Sequence, residues 1–134
     1  MRATLAAAGD PRGPARATRC FFRTGHAKLW KKDNAEFNKG PSGPGGDGQA
    51  GGSPSGRSRS SAATQWPVEA VPGEDADIPF ACHAIWLTMN GIFINENLNL
   101  EELAADKAYE FAWSFNPVPI KGATGSPGTS VAIA

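Results

Sequence analysis

Between residues 40 and 65 the chain contains no Val, Ile, Leu, Met, Phe, Trp, Tyr or Cys. The run "GPSGPGGDGQAGGSPSGRSRSSAATQ" is mostly Gly, Pro and Ser. Such a segment cannot bury enough apolar surface to offset the entropy lost on ordering. It therefore reads as a flexible linker over residues 40–65. A structureless segment of that length is unusual inside a compact domain. It divides the buriable side chains into two blocks, residues 20–37 and 66–133. In 134 residues this leaves material for one modest domain.

Composition removes several classes of function. Thirteen basic and thirteen acidic residues cancel, so no global charge attracts nucleic acid or a membrane. The two cysteines, Cys20 and Cys82, lie far apart and form no CxxC pair. That argues against a disulfide framework and a thiolate zinc site. No apolar run approaches the ~20 residues of a transmembrane helix, so the chain is expected to be soluble and cytoplasmic. Residues 1–19 carry Ala, Arg, Gly and Pro without a period and read as a disordered leader.

Between these segments the pattern is mixed α and β. "CFFRTG" reads as the end of a buried strand stopped by Gly25, and "HAKLWKKDNAEFNKG" as a short helix or structured loop. "TQWPVEAVPGEDADIPF" is extended, because its prolines forbid a long helix. A helix is expected over residues 79–90, with Gly91 as its left-handed stop. "GIFINENL" reads as a strand, and Asn99 with Glu102 as the capped start of a short helix. "YEFAWSF" alternates cleanly and reads as a long strand, with Tyr109, Phe111, Trp113 and Phe115 on one core-facing side. "SVAIA" reads as a final short strand.

Two residues carry the sharpest chemical possibility. If helix 79–90 folds back on the strand, His83 and Glu96 meet at one end of the pair, and imidazole plus carboxylate suits zinc or manganese. The simpler reading from spacing is a surface His and a solvated strand-end Glu. Asp33, Glu36, Glu69, Glu74, Asp75 and Asp77 read as solvated loop charges, and Glu101, Glu102 and Asp106 as a helix surface. Nothing in the spacing ties His26 to His83. No nucleophile–base arrangement is defensible, so no catalytic residue is assigned.

The stretch "HAIWLTMNGIFINENLNLEEL…YEFAWSFNPVPIKGATGSPGTSVAIA" resembles the C-terminal part of the cyclase family, which includes bacterial kynurenine formamidase. The shared features, in order, are a His, a Gly opening an apolar strand, and a Glu at the strand end. An "NL..L" helix start, an aromatic strand and "G..GSP" before a closing strand follow. The blocks "FFRTGHAKLWKKDNAEFN" and "WPVEAVPGEDADIPF" also resemble the family's middle region.

The resemblance implies an α/β fold, an incomplete swivelling β/β/α domain, with residues 20–39 and 66–134 as its family-like parts. It implies a metal-dependent hydrolase of formamides, amides or related carbon–nitrogen or ester bonds, of the arylformamidase type found in tryptophan catabolism. His83 and Glu96 match metal ligands of the family, so a zinc or manganese cofactor is expected. A small-molecule substrate and a homo-oligomer in intact relatives are also implied. The family's upstream motif HxGTHxDxPxH is absent, as are its middle helix and the strand before "WPVE". The chain thus reads as a fragment that is inactive alone, with residues 41–63 resembling a shifted reading frame of GC-rich DNA. The alternative is a truncated, non-catalytic binding or dimerisation module.

Overall fold

The computed structural model describes residues 19–41, 43–44 and 60–134. All of the expected leader but Arg19, and most of the expected linker, lie outside these residues. The chain divides into two compact units, Met1–Leu100 and Glu101–Ala134.

The first unit is built on a three-stranded parallel sheet in the order β1, β2, β3. β1 is Cys20–Phe22, β2 is Ser60–Ala63 and β3 is Phe93–Asn95. The register pairs Phe21 with Ala62 and Ser61 with Ile94. Parallel strands need long crossovers. The first contains a 3₁₀ turn, His26–Leu29, and a short helix α1, Asn34–Asn38. Asp33 caps α1, its side chain accepting from the Glu36 N–H at 3.0 Å. The second contains the helix expected around His83.

The central strand corrects the linker boundary. Ser60–Ala63 is the middle of the sheet, and Ala62, Ala63, Thr64 and Gln65 are all buried. The strand thought missing before "WPVE" is therefore present. The absence of large side chains concealed it, because strand propensity and alternation are read from β-branched and aromatic residues. Small residues suit this place. Ala63 packs in one cluster with Val68, Cys82, Trp86 and Ile92, flanked by Phe22, Ile85 and Ile94. Trp86 is fully buried and stacks on Phe22, with ring centroids 6.2 Å apart.

The helix over residues 81–90 forms where expected, but His83–Met89 is π-helical. A π-helix bonds main-chain groups five residues apart, and the Asn90 side chain adds a bond from Nδ2 to Ile85 O at 2.6 Å. Gly91 follows at φ 62 with open space around its missing Cβ, so glycine is needed there for the left-handed turn and not for packing. The turn sends the chain into β3, burying Ile92 and exposing Phe93.

The second unit holds a short helix α2, Glu101–Ala105, and an antiparallel pair, β4 Ala112–Pro117 and β5 Gly128–Ile133. The long aromatic strand starts later than its alternation suggests. Tyr109 and Phe111 precede β4, and Tyr109 is exposed. Trp113 and Phe115 share one face and stack at 5.7 Å, half-buried rather than in a closed core. The Phe115 ring covers Gly128, where a Cβ has no room. Among the described residues no helix is long and apolar enough to cross a membrane.

Candidate metal centre

Three elements of the first unit converge on one point. Glu69 comes from the loop after β2, His83 from the start of the π-helix and Glu96 from the end of β3. One ligand atom from each lies within 4.8 Å of the others. The topology explains the place. β2 and β3 are parallel neighbours, so both run out at the same sheet edge, where open α/β sheets carry their sites. The chain after β3 stays beside the chain after β2, with Leu98 N–H donating to Ala63 O and Asn97 N–H to Gln65 O, each at 3.1 Å.

His83 Nε2 stands 3.7 Å from Glu96 Oε1. The two residues singled out in the sequence are thus brought together by the turn at Gly91. Two ligands on one ion at the ~2.0–2.2 Å of typical zinc bonds are separated by a gap of this kind. Glu96 is itself held: its Oε1 accepts the Val68 N–H at 2.8 Å. Burial pushes the Glu96 carboxyl above its usual range, and the charge of Glu69 pushes the same way. The Val68 N–H and His83 oppose the shift without cancelling it.

Glu69 corrects the sequence reading. Glu74, Asp75 and Asp77 are exposed, as expected of loop charges, but Glu69 is 0% exposed. A carboxylate taken out of water must be paired or hydrogen-bonded. Its Oε1 accepts the His83 main-chain N–H at 3.3 Å, and both oxygens lie on His83 Nδ1, at 2.9 and 3.0 Å. The available signal was local. Glu69 is the one charge inside "WPVEAVP", a context that buries its neighbours Pro67 and Val68. His26 lies elsewhere, its Nε2 donating to Phe37 O at 2.9 Å, and takes no part.

Gly43 shapes the loop that carries Glu69. A Cβ at Gly43 would run into the main chain of Val68, Glu69 and Ala70. Next to it, Val71 N–H donates to Pro41 O at 3.1 Å. So residues within the expected linker lie directly along this loop.

A crystal structure described as a novel cyclase matches this chain with a TM-score of 0.71 and 27% sequence identity. The match covers 89% of this chain and 40% of that one. The chain thus has a cyclase-like fold and spans about two fifths of the length of the structure it matches. No protein-family model matches the chain, and no curated protein does.

The donor set fits a divalent cation. It offers one imidazole nitrogen facing one carboxylate, both ordinary ligands of divalent metals. The second carboxylate occupies the imidazole's other nitrogen. Cys82 adds nothing to the set. Its thiol is buried in the core and pushed up to about 12, first by burial and then by the charge of Glu69.

Proposed function

We propose that this chain supplies His83 and Glu96 to the metal centre of a cyclase-like hydrolase acting on a formamide, amide or related carbon–nitrogen or ester bond. The observation that carries the reading is the 3.7 Å approach of His83 Nε2 to Glu96 Oε1 in a fold similar to that of a cyclase. The bound ion, zinc or manganese, supplies a Lewis acid that polarises a carbonyl and activates water.

The chain's own residues do the rest of the local work. His83 offers Nε2 and Glu96 offers a carboxylate, and the Val68 N–H keeps Glu96 in place. His83 and Glu96 are only part of an active site. Among the described residues no further His, Cys, Asp or Glu joins the cluster. Further ligands and a general base would come from an HxGTHxDxPxH segment, which this sequence lacks. The 134-residue chain alone is therefore expected to hydrolyse nothing at a measurable rate.

The test is to read the coding DNA upstream for that motif. The reconstructed chain, loaded with zinc or manganese, is then assayed on N-formylkynurenine and simple aryl esters. Hydrolysis abolished by His83→Ala is the expected result. A reconstructed chain without any hydrolysis, or turnover by the short chain abolished by His83→Ala, contradicts it.

A second reading is a non-catalytic dimerisation module. Exposed Val131 and Ile133 on β5, with Val118 and Ile120 beyond β4, favour it. It predicts co-purification with a longer relative at fixed stoichiometry.

A further inference from the structure

We propose that Glu69 is the positioning residue of this metal centre. Its buried carboxylate holds the Nδ1–H of His83 and so leaves Nε2 unprotonated and turned toward Glu96. It holds only where His83 and Glu96 share a divalent ion, as proposed above.

The geometry separates the roles of the two carboxylates. An imidazole has two nitrogens on different sides of the ring, and in the neutral ring one donates while the other accepts. Glu69 meets Nδ1 with both oxygens at hydrogen-bond distance, 2.9 and 3.0 Å. Glu96 faces Nε2 at 3.7 Å, beyond hydrogen-bond length. An ionised carboxylate is only an acceptor. With Glu69 ionised and the ring neutral, Nδ1 carries the proton and the lone pair falls on Nε2. Glu69 also accepts the main-chain N–H of the same residue at 3.3 Å, so it fixes backbone and ring together.

His83 opens the π-helical segment, a turn type that recurs at functional sites. The side chain is only partly buried, at 37% exposed, whereas Glu69 is sealed beneath it. A sealed carboxylate anchoring a more open histidine is the arrangement that orients histidine ligands and raises their basicity in metal sites.

Two measurements on the full 134-residue chain test this. The first is ¹⁵N-histidine NMR of the metal-free protein, which needs no variant. His83 is expected in the Nδ1–H form; an Nε2–H form overturns the proposal. The second compares zinc(II) affinity and the cobalt(II) spectrum of wild type and Glu69→Gln. The Gln amide carries no charge and can donate to Nδ1 as well as accept from it, so the change is expected to weaken zinc by about 10- to 100-fold, mix the tautomers and leave the cobalt ligand set unchanged. Equal affinity overturns the proposal, and so does a cobalt spectrum showing a lost carboxylate ligand, which would make Glu69 a direct ligand. A wild-type chain that binds no zinc overturns the metal reading itself, whatever its tautomer.

Discussion

The main-chain N–H of Val68 donates to Oε1 of Glu96 at 2.8 Å, one residue before Glu69 places its own carboxylate on His83. One short loop after β2 thus controls both candidate ligands. It anchors Glu96 through its backbone and His83 through its side chain. The state of the centre depends on that loop as much as on the residues that face an ion.

The raised pKa of Glu96 gives a pH signature. Its folded value lies above the unfolded one, so the protonated acid favours the fold. That contribution is complete below the unfolded carboxylate range, near about pH 4, and is lost as pH rises through the raised value. A divalent cation competes with the same proton, so its affinity climbs over the same window. Glu96→Gln removes the titrating group while keeping an oxygen for the Val68 N–H. Metal-free Glu96→Gln is expected to gain in melting temperature relative to wild type as pH rises through that window, and to bind zinc more weakly. Paired thermal melts against pH check this; a gap that moves the other way contradicts it.

Gly43 gives a prediction far from the charges. Gly43→Ala forces a methyl group into the Val68–Ala70 main chain, and overpacking of that kind costs about 1–3 kcal/mol. The displaced loop also moves Glu69 and the Val68 N–H, so zinc affinity falls with stability. Denaturant melts and zinc titration should both change. An Ala variant matching wild type in both would show that this packing is unimportant.

Much of this region was legible from sequence, and the failures have physical causes. The helix around His83, the Gly91 stop and the strand "GIFIN" were readable because periodicity and a left-handed glycine leave local marks. β2 was not, because its Ser and Ala residues carry no strand signal and its place is set by the neighbours Phe21 and Ile94. Glu69 was missed for a related reason. The loop that carries it lies against Gly43 and is bonded to Glu96, contacts distant in sequence, while its letter looks like the acids at Glu74 and Asp75. In β4 the alternation was real, but the strand takes up only its second half.

The core predicts how the first unit fails. Trp86 fills the centre of the cluster and stacks on Phe22. Trp86→Ala should cost about 3–5 kcal/mol, read by urea unfolding. Cys82 shares the cluster and should react with thiol reagents only after unfolding, faster in the variant under native conditions. A loss under about 1 kcal/mol, the range of ordinary single substitutions, would mean that this packing does not hold the unit together.

Zinc titration calorimetry on the purified chain, with His83→Ala and Glu96→Ala beside it, tests the central claim most directly. One ion per chain is predicted for wild type, with each variant weaker by at least about 10-fold, the tenfold step that corresponds to 1.4 kcal/mol. No binding by wild type, or binding by His83→Ala as tight as wild type, would contradict a metal centre at Glu69, His83 and Glu96.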